Sequence, residues 1–160
     1  MKHTISVTVE NEFGVLARVA GLFSGRGFNI DSLSVAETQD PTVSLITLVT
    51  RGDDQIIEQI IKQLHKLVNV LRVTDMQEGE YLDRELVLVK VNANEQTKGE
   101  ILRLVDIFRG KVVDVSPKSY TVEITGDEGK VRAVMELLAP LGIREVVRTG
   151  KVAMPRGTRA

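Results

Sequence analysis

Hydrophobic and polar positions alternate from the first residues. Between His3 and Glu10, Ile5, Val7 and Val9 fall on one side, the period-two pattern of a half-buried strand. A turn-prone break at Asn11–Gly14 follows. The period then changes: Val15, Leu16, Val19, Leu22 and Phe23 share one face of a helix predicted from Val15 to about Arg26, with Gly25 and Gly27 closing it. Phe28–Glu37 reads as a strand, Asp40-Pro41 as a turn, and Val43–Thr50 as a strand rich in β-branched residues. Gly52-Asp53-Asp54 opens a second helix with acids at its positive end, and Ile56, Ile57, Ile60, Ile61, Leu64, Leu67 and Val68 mark its buried stripe. Val70–Asp75 is the closing strand.

The same series then repeats. Residues 77–83 are polar and acidic and read as a linker. Beyond them come a strand over Glu85–Asn92, a helix over Glu95–Phe108, and a short strand over Lys111–Val115. Ser116–Ser119 is a turn and Tyr120–Thr125 a strand. A helix over Asp127–Ala139 ends at Pro140 and Gly142, and Ile143–Thr149 is the last strand. Both halves therefore run strand–helix–strand–strand–helix–strand. That order predicts an α+β chain of two tandem ferredoxin-like βαββαβ domains, each an antiparallel sheet with two helices on one face and right-handed crossovers. The expected boundaries are 1–76 for the first domain, 77–83 for the linker and 84–160 for the second. Each half is small enough to be marginal alone and leaves a sheet edge open, so a dimer is expected.

Composition narrows the function. The net charge of −1 and an aromatic content of 4% argue against a nucleic-acid partner, which needs a basic surface or stacking platforms. Cysteine is absent, which removes thiol catalysis, thiolate metal sites and disulfides, and fits a cytoplasmic setting. No signal peptide or membrane-spanning apolar run is visible. The two histidines, His3 and His65, belong to no metal-ligand spacing, so no metal site is expected. No serine lies in a G-x-S-x-G elbow, and the acid pairs Asp53-Asp54 and Asp127-Glu128 fall at helix starts, where they complement the dipole. Gly25-Arg26-Gly27 follows a helix rather than preceding one, so it reads as a helix end and not a phosphate loop. Arg144, Arg148, Lys151, Arg156 and Arg159 make the C-terminal end locally basic, a solvated end more than a binding patch. No catalytic residue is assigned.

One stretch carries candidate chemistry. The loop Asn11–Gly14 leads into the first helix, whose amide N–H groups suit a carboxylate. Gly14 lets a ligand come close, Asn11 and Asn29 offer donors and acceptors for an ammonium, and Val15, Leu16 and Ile30 offer an apolar wall. The two loops are expected at the same end of the sheet. An ordinary structural role, with Asn11 in a turn and Asn29 at a helix exit, fits these residues equally well.

A resemblance separates the two readings. Asn11-x-x-Gly14 followed by an aliphatic pair resembles the ligand loop of ACT domains. Several blocks are similar to the small, regulatory subunit of acetolactate synthase. They are Glu10-Asn11-Glu12-x-Gly14, Gly21-Leu22-Phe23-Ser24-x-Arg26-Gly27-Phe28-Asn29-Ile30, Glu58–Val68, Arg84–Lys90, Ile107-Phe108-Arg109-Gly110 and Arg148-Thr149-Gly150. The resemblance implies a non-catalytic chain whose first domain is an ACT domain. It implies a homodimer through the ACT domains and a large catalytic subunit as partner, with thiamine diphosphate, FAD and magnesium held by that partner. It further implies feedback inhibition by valine or another branched-chain amino acid, bound by Asn11, Gly14, Val15 and Leu16 of one copy and Asn29 and Ile30 of the other. Ser34 and Ala36, on the following strand, are weaker candidates. Phe13 departs from the family pattern, where a small residue or proline is usual, and implies a re-walled loop. The alternative is an amino-acid-responsive regulator of a different enzyme or of transcription, although no helix-turn-helix segment is present to read DNA.

Overall fold

The computed structural model describes residues 1–157. It contains β1 (Lys2–Glu10), α1 (Val15–Gly25), β2 (Ile30–Glu37), β3 (Val43–Arg51), α2 (Asp54–His65) and β4 (Val70–Asp75). After a 3₁₀ turn at Met76–Glu78 come β5 (Tyr81–Asn92), α3 (Lys98–Ile107), β6 (Lys111–Val115), β7 (Ser119–Gly126), α4 (Glu128–Gly142), β8 (Ile143–Arg148) and β9 (Val152–Pro155). The first sheet has the order β2-β3-β1-β4 and the second β6-β7-β5-β8, so the two halves share one topology. The predicted pair of βαββαβ arrangements is what the chain forms.

Alternation explains the first core. Ile5, Val7 and Val9 are buried on one face of β1, opposite Leu48 and Ile46 of β3, and meet Val15, Val19 and Phe23 of α1 and Ile57, Ile60 and Leu64 of α2. Phe23 also meets Phe28 edge to face, with ring centroids 6.2 Å apart. Full burial of each such side chain contributes about 1.5–3 kcal/mol. The second core repeats the scheme: Val87, Val89 and Val91 of β5 pack on Ile101 and Leu104 of α3 and on Val131, Val134 and Leu138 of α4.

Local details differ from expectation. The α3 helix starts three residues late because Asn94 holds an Asx turn, its Oδ1 accepting from the amides of Gln96 and Thr97 at 2.9 Å each. The α4 helix does not stop at Pro140; it runs on to Gly142, whose φ of 96° ends it. Residues 77–83 are not a free polar run, because Gln77 Nε2 donates to Lys2 O at 3.1 Å and Tyr81 already belongs to β5.

The described chain divides into two compact units. One is Met1–Leu82 together with the segment that begins at Lys151; the other is Asp83–Gly150. The tail after residue 150 thus packs with the first unit. Lys151 N donates to Ser32 Oγ at 3.2 Å and Arg156 N to Glu80 O at 3.0 Å. Strand β9, unanticipated in the sequence, pairs with β5, whose first residues belong to the same unit. Its Ala153, Met154 and Pro155 line a small cavity with Ser6, Thr8 and Thr74, on the sheet face opposite the helices. Of the basic residues at the C-terminal end, Arg159 lies outside the described residues.

Candidate effector site

Two of the four helices have a first-turn amide capped by a side chain. Asp53 accepts from Ile56 N at 2.9 Å at the start of α2, and Asp127 accepts from Lys130 N at 2.9 Å at the start of α4. The α3 helix has no side-chain cap at Thr97, though Asn94 holds the turn just before it, and α2, α3 and α4 all carry an acid in the first turn. The α1 helix has neither feature. Its N-cap is Gly14, without a side-chain hydrogen bond, and its first turn holds no acid. The positive end of this helix is therefore neither capped by a side chain nor offset by an acid in its first turn.

Gly14 is required by the backbone. Its φ of 83° and ψ of −3° lie in the left-handed region, and a Cβ there would meet nothing within 4 Å. The ground in front of α1 is thus open while the turn itself excludes most side chains. Asn11 stands beside it. Its backbone N–H donates to Thr42 O at 2.7 Å, and its Nδ2 donates to Pro41 O at 2.9 Å and to Glu37 Oε1 at 3.3 Å. These bonds tie the β1–α1 loop to the β2–β3 hairpin and commit the amide NH₂, so the group that Asn11 offers a ligand is its carbonyl oxygen. The hairpin is held in turn by Asp40, whose Oδ1 accepts from Thr42 Oγ1 at 2.7 Å and Thr42 N at 3.0 Å. Those bonds lower the Asp40 carboxyl below its ordinary value.

Leu16 is 42% exposed and Phe13 fully so, and both flank the helix entry. Val15 does not: its side chain is buried in the first core, so only its backbone borders the entry. Asn29 is exposed. Its Nδ2 donates to Asp31 Oδ1, while Arg51 Nε holds the other Asp31 oxygen at 2.7 Å. Ile30 is half-buried against the first core at the start of β2. Ser34 and Ala36 lie further along β2, opposite Thr47 and Leu45.

The two loops do not share a sheet end within one copy. Ile30 pairs with Thr50, which pairs with His3 near the start of β1, whereas Glu10, at the end of β1, pairs with Val43. That is seven residues along the strand, roughly 23 Å. The expectation of a shared end is corrected by this register: β1 and β2 run parallel, so the exit of β1 and the entry of β2 lie at opposite ends. Sequence reasoning also missed Glu37, Pro41 and Asp31, which fix the two asparagine side chains. For Glu37 and Pro41 the local sequence carries no signal, because they meet Asn11 from 26 and 30 residues away; Asp31, two residues from Asn29, was within local reach.

Elsewhere, His3 and Asp75 form a buried pair, Nδ1 to Oδ2 at 3.2 Å. The cavity they border is lined by Asp54, Ile57, Glu58, Ile61, Lys62 and Glu78, none of them a hydroxyl or thiol nucleophile. Among the described residues no three His, Cys, Asp or Glu side chains come together as a metal site, and no helix is long and apolar enough to cross a membrane.

The first unit is thus a βαββαβ fold whose first helix is entered through a glycine without a side-chain cap. Residues 5–72 match the model of the AHAS small subunit-like ACT domain, which makes this an ACT-domain protein. Residues 84–157 match the model described as small subunit of acetolactate synthase. The chain is 53% identical over 156 residues to the acetolactate synthase small subunit of Aquifex aeolicus, covering 97% of this chain and 81% of that one. It is 52% identical over 159 residues to the probable acetolactate synthase small subunit of Archaeoglobus fulgidus, covering 99% of each. The crystal structure of the small subunit from Thermotoga maritima superposes with a TM-score of 0.87 at 44% identity, again over 99% of both chains. The chain belongs to the acetolactate synthase small subunit family, whose role is regulatory.

Proposed function

We infer that this chain is a non-catalytic, effector-responsive subunit. It binds and activates the large acetolactate synthase subunit and confers inhibition by valine or another branched-chain amino acid. Thiamine diphosphate, FAD and magnesium belong to that catalytic partner, and the complex works in the cytoplasm.

The observation that carries the reading is the geometry of β2. It is the outer strand of the first sheet; Asn29 and Ile30 stand at its start, and Glu37, bonded to Asn11, at its end. An antiparallel β2–β2 pairing about a twofold axis sets the start of one strand beside the end of the other. Asn29 and Ile30 of one copy then face Asn11, Gly14 and Leu16 of its partner, and the distance that separates them within one chain disappears. The pairing also satisfies the open edge of β2.

In each of the two equivalent clefts the effector carboxylate meets the free amides at the start of α1. That contact contributes about 0.3–1 kcal/mol exposed and up to ~2 kcal/mol when partly buried. The ammonium meets the carbonyl oxygens of Asn11 and Asn29, and Leu16 and Ile30 border the aliphatic group. Binding favours one arrangement of the pair, and coupling to the partner of ~1–3 kcal/mol is the usual range. One methylene separates valine from leucine or isoleucine, worth about 1–3 kcal/mol, so cross-binding is expected.

Co-purification with the thiamine-dependent subunit, followed by valine calorimetry and sedimentation of the chain alone, tests the reading. Expected are a stable complex, a dimer, and one valine per β2–β2 cleft. A chain that stays monomeric while binding valine tightly would sink the cleft; a chain that ignores the catalytic subunit would sink the regulatory role.

A further inference from the structure

The outer surface of the first unit carries a groove that the effector cleft does not use. It has a volume of about 590 Å³ and runs between α1 and α2, lined by Arg18, Gly21, Leu22, Gly25, Arg26, Gln63, Lys66 and Leu67. Every ionisable residue in that lining is a cation, although the chain as a whole has a net charge of −1. The floor, Leu22 and Leu67, is apolar and half-buried against the first core.

Gly21 and Gly25 stand one helical turn apart on α1. Neither has a positive φ, and a Cβ at either would meet nothing within 4 Å. Within this chain Gly21, in the helix interior, has room for a better helix former and weakens an eleven-residue helix, while Gly25 is its last residue. The missing side chains leave a flat track along α1 on which another rod of backbone can lie close, between the cationic walls.

We propose that the α1–α2 groove is a docking surface for an acidic helical segment of the large catalytic subunit. Arg26 and Lys66 pair with its carboxylates, and the Gly21–Gly25 track admits its backbone. The proposal rests on the regulatory reading above and names the surface through which that regulation passes. It assigns the effector and the catalytic subunit to separate faces of the first unit: the former to the β2 edge, the latter to the helix layer.

Three variants of the full chain, assayed with the whole catalytic subunit, test it. Gly21→Gln raises the melting temperature of the small subunit by a few degrees, because a helix former replaces glycine in open space. It nevertheless weakens binding to the catalytic subunit at least tenfold. Arg26→Glu/Lys66→Glu weakens binding a hundredfold or more and removes most of its salt dependence, since the attraction it reverses is screened by added salt. Both variants keep the parent's valine affinity and sedimentation coefficient. Gly99→Gln on α3, where a Cβ likewise meets nothing within 4 Å, is the control that changes neither binding nor valine response. Partner binding unchanged in both groove variants overturns the proposal while leaving the regulatory reading intact. A changed oligomeric state in the charge-reversed variant also overturns it, because the groove is then covered by a second copy. A parent chain that does not bind the catalytic subunit at all takes down the regulatory reading itself.

Discussion

The two βαββαβ units share strand order and helix placement, yet the helix after the first strand is entered differently in each. In the second unit it follows a turn held by Asn94, whose side-chain carbonyl accepts the amides of Gln96 and Thr97 just before the helix, and Glu100 adds an acid to the first turn. In the first unit the equivalent helix is entered through Gly14 at φ 83°, with no side-chain cap and no acid. One scaffold therefore carries two kinds of helix entry, one with an acid in the first turn and one without. The same contrast separates asparagines of similar appearance in the sequence. Asn94 spends its carbonyl on its own backbone, whereas Asn11 spends its NH₂ on the neighbouring hairpin and keeps the carbonyl.

Breaking the open end should have the largest effect. Gly14→Val forces a β-branched residue into the left-handed region, at a cost of about 1–3 kcal/mol in stability, and closes the approach to α1. Valine inhibition of the reconstituted enzyme should be abolished, with calorimetry showing affinity down by more than about a hundredfold, ~2.7 kcal/mol. Retained inhibition would remove the α1 entry from the site. Asn29→Ala comes next. It deletes one carboxamide on the partner side of the cleft and should lower valine affinity about tenfold, ~1.4 kcal/mol, with fold and activation of the catalytic subunit unchanged. An unaltered titration in this variant refutes the two-copy cleft.

The converse test falls on the second unit. Asn94→Ala removes the side-chain acceptor that holds the turn leading into α3 and should cost about 1 kcal/mol in denaturant unfolding, with no change in valine binding. A loss of valine affinity there would mean that the two ends are not functionally distinct. The smallest effect concerns pH. The Asp40 carboxyl is lowered below its ordinary 3.8 by Thr42, so its hold on the hairpin is fully present above pH 3.8 and fades only as pH falls through the lowered value. Acidification below that point should loosen the turn that anchors Asn11 through Pro41, seen as faster amide exchange at Thr42 and Asn11 before the core opens. Thr42→Val removes the hydroxyl half of that hold and should move the onset toward higher pH; an unchanged onset would show that Asp40 does not gate the loop.

Much of the fold was legible residue by residue. The period of two in Ile5, Val7 and Val9 and the helical spacing of Ile57, Ile60 and Leu64 name both the element and its buried face, because burial acts on local periodicity. The helix starts at Asp53 and Asp127 were equally readable, since a cap is a contact between residues three apart. Strand β9 was not: a four-residue segment takes its structure from pairing partners some seventy residues away in the chain. Nor was the split between Val15 and Leu16, which share the predicted face: Val15 enters the core, whereas Leu16 is 42% exposed.

By itself, the order of residues determined the two repeated units, their cores, the glycine that must adopt a left-handed backbone, and the family blocks that run the length of the chain. Tertiary structure alone decided where those blocks meet. Sheet register carries Asn29 to the far end from Asn11, hydrogen bonds across the hairpin choose which atom of Asn11 stays available, and the tail from Lys151 joins the first unit rather than the second. The physical reason is range. Propensity and periodicity act over a few neighbours, whereas a binding cleft is assembled from chain segments whose proximity depends on every pairing between them.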